Sequence, residues 1–392
     1  MMRCNSSESG LEKRMPANDP QRETLLQTIE SQPLIGGRFE CARRLGSSGG
    51  NGNFSLIATA HDQQSGNQVA LKFFNPLHQR DQYRWDCFVR EPELLLRFAG
   101  EPDILQCLAP RNEFTVPFTT NMGLTLHIPF AYYAVELAAG DVGEAILTDG
   151  WTAKRKLEVF RGMCRAVRRA HSRHIAHRDL KPGNFLVMSD GSVRLSDFGT
   201  ARDLADPAGA VLVRYTMPPG DRTYTAPEML ALLHDVDPRY ALRADIYSLG
   251  VILFEIFSGT PLFFQIFDWP LVADLQSTMS AVDRSARVQT YEAFIGATAD
   301  ARPLPSISQF GNATPNCLIG PLDRLYRSMA AIDYRKRMSD FDQIFSRINV
   351  CLWVLQHQSA YQRMREQRAR AKRAREEKQR LRDAKPKAGG LQ

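Results

Sequence analysis

The stretch His177-Arg178-Asp179-Leu180-Lys181-Pro182-Gly183-Asn184 is followed, thirteen residues after Asn184, by Asp197-Phe198-Gly199. Each tripeptide alone recurs by chance in long chains, but the ordered and spaced pair is a strong signal. It sets out a carboxylate, an ammonium, a carboxamide and a second carboxylate in one short span. Oxygen donors of this kind suit a hard cation such as Mg²⁺, which takes a few protein ligands and keeps its remaining positions for water and phosphate.

The spacing has a chemical reason. Phosphoryl transfer needs a group that orients the acceptor hydroxyl and metal ions that neutralise charge on the β- and γ-phosphates. Asp179 is the candidate base, Lys181 the candidate clamp on the transferring group, and Asn184 and Asp197 the candidate metal ligands. Both motifs belong to the protein-kinase signature set. From about Arg38 to Arg347 the chain resembles the eukaryotic-type serine/threonine protein kinases.

Other landmarks fall in family order. Val69-Ala70-Leu71-Lys72 looks like the strand whose lysine holds the α- and β-phosphates, with Glu91 as its helix partner. Val135-Glu136-Leu137-Ala138 is similar to the hinge, which implies Val135 at the gatekeeper place and backbone groups of Glu136 and Ala138 at adenine. The stretch Leu45 to Ile57 resembles the phosphate loop, with Gly50, Gly52, Ile57 and Ala70 in the nucleotide site. It fits only with Ser55 at the third glycine and about four extra residues, so a longer loop and weaker nucleotide affinity are expected. Its backbone amides can still cradle phosphates.

The resemblance also makes Ala226-Pro227-Glu228, Arg337 and Asp245 structural, and gives His171 and His177 core roles. Lys181 followed by Pro182 resembles the Ser/Thr class, and Thr200 after the glycine implies a preference for threonine acceptors. Tyr215, Thr216 and Thr223 are candidate phosphate acceptors in the activation segment, Thr216 first. Asp221 stands where the family often has a threonine. Pro92 follows Glu91 directly, and proline inside a helix clashes with the carbonyl four residues back at a cost of roughly 3 kcal/mol. The helix is therefore expected to start or kink there, with Glu93 as an alternative partner for Lys72.

Strand-like stretches at Phe39 to Leu45, Phe54 to His61, Gln68 to Phe74 and Tyr132 to Leu137 enclose one helical pattern through Leu94, Leu95 and Phe98. Beyond Ala138 the periodicity is mostly helical, with Phe160, Met163, Cys164, Val167 and His171 on one face. The fold expected is α+β: a small antiparallel sheet lobe with one helix, then a larger mainly helical lobe, with ATP and Mg²⁺ in the cleft between them. The expected domains are a flexible polar leader (1–35), a kinase domain (36–352, divided at 136/137) and a basic tail (353–392), helical or disordered.

Composition narrows the partners. The seven cysteines are scattered without a C-x-x-C pair, which points to reduced thiols and away from a disulfide frame or zinc site. The N-terminus lacks a secretory apolar run, so a cytoplasmic location is expected. Of the formal charge of +7, Tyr361 to Lys387 supplies the whole excess, with twelve Lys or Arg against four acidic residues. Two readings of that tail stand side by side: a solvated end, or an arm for nucleic acid or an anionic surface. The expected partner of the body is a protein substrate; the rival functions are a catalytically silent binding module and a small-molecule phosphotransferase.

Overall fold

The computed structural model describes residues 24, 27–44, 55–119, 123–148, 150–206, 220–233, 237, 239–310 and 314–383. The chain divides into two compact units, Met1–Leu147 with Pro182–Ala201, and Thr148–Lys181 with Arg202–Gln392.

The first unit is built on an antiparallel sheet in the order β1-β2-β3-β4-β6-β5. Its strands are β1 (Leu34–Ile35), β2 (Phe39–Arg44), β3 (Ser55–Asp62), β4 (Gln68–Phe74), β5 (Cys107–Thr119) and β6 (Thr125–Glu136). Because side chains alternate between faces, the sequence of β4 sorts itself into two sets. Val69, Leu71 and Phe73 join Leu56, Ala58, Ala60, Phe130, Tyr132 and Ala134 in a buried core on one face. Ala70 and Lys72 point to the other, where the register sets Lys72 opposite Ile57 and Tyr133, and Ala70 opposite Val135. Ile29 and Ile35 are wholly buried in the core cluster, so the last part of the polar leader packs against the sheet.

Helix α1 spans Gln82–Arg97 without interruption, and Asp81 caps it by accepting from the Arg84 amide at 3.1 Å. The expected start or kink at Pro92 does not occur. Pro92 deprives the Phe88 carbonyl of its helical donor, and packing offsets that loss. Phe88 lies 5.2 Å from the Tyr133 ring and 5.4 Å from Phe74, while Trp85 meets Phe74 edge-on at 5.1 Å. These contacts hold α1 against the face that carries Lys72.

A second, smaller sheet in this unit, β10-β9-β7, joins β7 (Gly140–Asp141), β9 (Phe185–Val187) and β10 (Val193–Leu195). Helix α2 (Val142–Thr148) follows β7.

The second unit is mainly helical. Helix α3 (Ala153–Ser172) buries Phe160, Met163, Cys164 and Val167, the face that the sequence pattern marks. After β8 (Ile175–Ala176), paired with β11 (Arg202–Asp203), come α4 (Pro227–Leu230) and α5 (Tyr240–Ser258). Helix α5 is apolar on nearly every side, as a helix enclosed by others must be. Gly250 lets the backbone at Ala330 approach: a Cβ there would lie 2.6 Å from the Ala330 amide nitrogen. Helices α6 (Phe263–Ile266), α7 (Trp269–Ala281), α8 (Arg287–Ala301), α9 (Asn316–Met329), α10 (Phe341–Gln356) and α11 (Gln358–Asp383) complete the unit. The basic tail is thus helical as far as Asp383. Among the described residues, no helix is long and apolar enough to cross a membrane.

Candidate active site

In the first unit, Lys72 on β4 reaches Glu91 on α1 at 2.6 Å and Asp197 at 3.1 Å. Burial works against its ammonium, but the carboxylates of Asp197 and Glu91 outweigh that and hold Lys72 above its ordinary pKa. The lysine is a fixed cation. Burial, followed by the charge of Glu91, pushes the Tyr133 phenol well above its usual range, so the neighbouring ring stays neutral. Glu93 is exposed, and Glu91 makes the bond to Lys72.

A hairpin brings the two candidate metal ligands to the same end of one ladder. Antiparallel pairing of β9 with β10 sets Phe185 opposite Leu195. Asn184 immediately precedes one strand and Asp197 follows the other, so both reach the same end of the ladder. Ser196 fastens that end, donating from its amide at 2.9 Å and from its hydroxyl at 3.0 Å to the Asn184 carbonyl.

Asp197 adopts the left-handed conformation, φ 61° and ψ 57°, which turns its carboxylate toward Lys72. A non-glycine residue held there is strained by about 1–3 kcal/mol and needs its surroundings to fix it. Phe198 is fully buried against Phe98 at 5.3 Å, and Arg90 on α1 donates to the Gly199 carbonyl at 3.1 Å. Gly199 itself lies against Cys87, where a Cβ would come within 3.1 Å of the backbone carbonyl. Helix α1 therefore grips the turn at Gly199, just after Phe198. With one carboxylate and one amide as oxygen donors, Asn184 and Asp197 fit Mg²⁺ completed by phosphate and water. No cluster of three or more His, Cys, Asp or Glu side chains able to hold a metal occurs among the described residues.

Of the other nucleotide-site candidates, Ile57, Ala70 and Val135 share the Lys72 face of the sheet. The Glu136 carboxylate is occupied by the Gln106 amide, at 2.9 Å, and by the Arg194 guanidinium. Ala138 follows β6, and the next residue donates its amide to the Val187 carbonyl at 2.9 Å. Gly50 and Gly52 lie outside the described residues, as do Tyr215 and Thr216.

In the second unit, the loop after β8 is pinned by Asp245, whose buried carboxylate on α5 accepts from the amides of His177 at 2.8 Å and Arg178 at 2.9 Å. His171 meets the same carboxylate at 2.8 Å. His177 is wholly buried, and its Nδ1 accepts from the Asp179 amide at 3.3 Å. Asp179 is thereby presented with Lys181 Nζ 3.1 Å from one oxygen and the Asp221 amide nitrogen 2.8 Å from the other.

The Asp221 carboxylate serves its own turn, accepting from the Thr223 amide at 3.0 Å and hydroxyl at 2.6 Å. Farther along, Glu228 and Arg337 form a fully buried bidentate pair, one arm at 3.0 Å, with further bonds from Arg337 to the Ala331 and Arg243 carbonyls. Each unit contributes a group with a chemical use: in the first a fixed cation beside an oxygen donor, in the second a carboxylate with one donor on each oxygen.

Comparison with known proteins agrees with this geometry, since residues 44–346 match the model of the protein kinase domain. The chain belongs to the protein kinase family. It is 27% identical over 299 residues to mitogen-activated protein kinase 14 of Oryza sativa subsp. japonica, covering 74% of this chain and 51% of that one. To serine/threonine-protein kinase PknB of Mycolicibacterium smegmatis it is 32% identical over 221 residues, covering 56% and 33%. The chain thus spans about half the length of the rice relative and a third of the mycobacterial one.

Sequence reasoning passed over two contributors of this protein kinase. Arg90, next to Glu91, was not singled out at all; its signal would have been a second long side chain on the Lys72 side of α1. Asp221 read as a departure at a substrate contact, whereas its backbone amide is what touches Asp179. No side-chain signal reports that bond.

Proposed function

We propose that the chain transfers the γ-phosphoryl group of ATP to a serine or threonine hydroxyl of a protein, in the cytoplasm. The observation that carries this reading is the bridge from Lys72 to both Glu91 and Asp197, at 2.6 and 3.1 Å. It holds a phosphate-binding cation and a metal ligand at one point, which supports an active enzyme over a silent binding module.

Mg²⁺, when bound, would supply neutralising charge on the β- and γ-phosphates. Asn184 and Asp197 would hold it, and Lys72 would orient the α- and β-phosphates. Asp179 accepts the acceptor's proton. The Asp221 amide and Lys181, one on each carboxylate oxygen, keep it aimed. Lys181 also steadies the transferring group. Thr200 sits partly buried after Gly199; as a β-branched residue with few rotamers it offers a fixed methyl surface that favours threonine as acceptor. The buried Glu228–Arg337 pair favours a protein acceptor over a small molecule, because in the family that element underlies the peptide platform.

Thermal denaturation with ATP and Mg²⁺, followed by phosphoamino-acid analysis of a generic acceptor, tests the reading. A rise in Tm that needs both and is lost in Lys72→Met, with phosphothreonine exceeding phosphoserine, is expected. Absence of any shift returns the silent module, and equal or better serine use overturns the threonine preference.

A further inference from the structure

In the second unit, Arg324 of α9, Val350, Trp353 and Val354 of α10, and Tyr361, Met364, Arg365 and Arg368 of α11 line a cavity of about 500 Å³. Its floor is apolar and open to solvent: Val350 is 47% exposed, Trp353 39% and Met364 38%. The rim is cationic. None of Arg324, Arg365 and Arg368 is ion-paired among the described residues, and no lining residue is acidic. Elsewhere on α11 charge is partly neutralised, as where Lys372 meets Glu376 at 3.6 Å.

Exposed arginines around an exposed apolar floor make a surface that is complementary to a ligand both acidic and partly apolar. Guanidinium groups bind carboxylates in a planar two-bond fork, and large exposed apolar patches mark interaction sites. We propose that this groove docks an acidic peptide segment of a partner protein, with one bulky apolar side chain on the Val350–Trp353–Met364 floor and flanking carboxylates on the three arginines.

Two other occupants fit the surface less well. A membrane would need an apolar face along α11, and from Arg365 to Arg380 the only apolar residues are alanines. Single-stranded nucleic acid would stack bases on a free ring face. Trp353 already has one of its two ring faces stacked against His357, with centroids 5.0 Å apart and planes 19° from parallel, which halves the surface open to a base. The floor then has no role that phosphates alone would require.

The test is fluorescence anisotropy with the full chain and a labelled twelve-residue peptide of Asp and Glu bearing a central Leu-Trp pair. Comparators are the same peptide with alanines at that pair, and a twelve-nucleotide oligothymidylate. We expect the Leu-Trp peptide to bind at least about tenfold more tightly than the alanine peptide, a factor that one well-seated side chain supplies. Arg365→Glu with Arg368→Glu should weaken it at least about tenfold, and Met364→Ser, a surface change that leaves the fold intact, several-fold. No binding, equal binding of the two peptides, or tighter binding of oligothymidylate that is indifferent to Met364→Ser overturns the proposal, the last making α11 a polyanion arm.

Discussion

Replacing Gly220 by alanine is the sharpest perturbation the geometry offers. Gly220 has φ +86°, and a Cβ there would lie 2.6 Å from the Arg178 carbonyl oxygen, 2.9 Å from Asp179 Oδ1 and 3.1 Å from Asp179 Cα. The left-handed backbone costs a non-glycine residue about 1–2 kcal/mol. The contact with backbone oxygen has no flexible side chain to yield, so either Gly220 or the Asp179 loop must move by several tenths of an ångström or more. Movement of the loop strains the bonds that pin it to Asp245, and movement of Gly220 breaks the Asp221 amide bond to Asp179, now 2.8 Å.

Misplacing a reacting group by about 1 Å costs roughly a hundredfold in rate. Gly220→Ala should therefore lose about two orders of magnitude in kcat for phosphoryl transfer, with Tm falling by roughly 2–8 °C, at about 2–4 °C for each kcal/mol in a unit of this size. Gly250→Ala is the control: its Cβ would meet the Ala330 nitrogen at 2.6 Å, in a helix contact remote in sequence from the loop. It should destabilise by about 1–3 kcal/mol and leave the rate per folded molecule unchanged. A Gly220→Ala protein that keeps more than half its activity refutes the reasoning.

Three further outcomes follow from pairs already described. Arg337→Ala leaves Glu228 buried without its partner and should cost about 3–5 kcal/mol, read by urea denaturation; a loss under about 1 kcal/mol contradicts it. Arg90→Ala releases the Gly199 carbonyl and should raise the Mg²⁺ concentration needed for nucleotide-dependent thermal stabilisation, with Arg90→Lys partly restoring it; an unchanged Mg²⁺ requirement contradicts the grip on the turn. The Arg38 guanidinium, at 2.7 Å, holds the Asp62 carboxyl well below the usual carboxylate range. A depressed folded pKa gives stability that is present above the unfolded value of about 3.9 and lost as pH falls toward the folded one. The Tm gap between wild type and Arg38→Met should thus be full at pH 6 and shrink below about pH 4; a gap that widens in acid contradicts it.

How much of this was legible in the sequence depends on which atoms make the contact. The sheet face of Lys72 was legible because strand alternation converts Val69-Ala70-Leu71-Lys72 directly into two faces. That Asn184 and Asp197 belong together was marked by motif spacing, and the hairpin between them, which puts both at one end of its ladder, supplies the physical reason. Pro92 misled because the penalty for an internal proline is local and certain, while the aromatic packing of Trp85, Phe88, Phe74 and Tyr133 that offsets it is assembled from distant segments. Strand β5 was not singled out: Cys107 to Thr119 includes two prolines, two charges and an asparagine, and its register with β6 shifts where the pairing is irregular. The Asp221 bond was invisible for a simpler reason, since every residue but proline carries the same amide.

In the proposed reaction Asp179 takes the proton of the acceptor hydroxyl and Asp197 would hold the metal, so transfer of the γ-phosphoryl group of ATP should need both. Incubation of the purified chain with γ-labelled ATP, Mg²⁺ and a generic protein acceptor measures that directly. Wild type should transfer label to the acceptor, and Asp179→Asn and Asp197→Ala, each still folded, should each lower the rate at least about a hundredfold, since each removes several kcal/mol of transition-state stabilisation. Label transfer that survives both substitutions, or wild-type protein that transfers none, would contradict it.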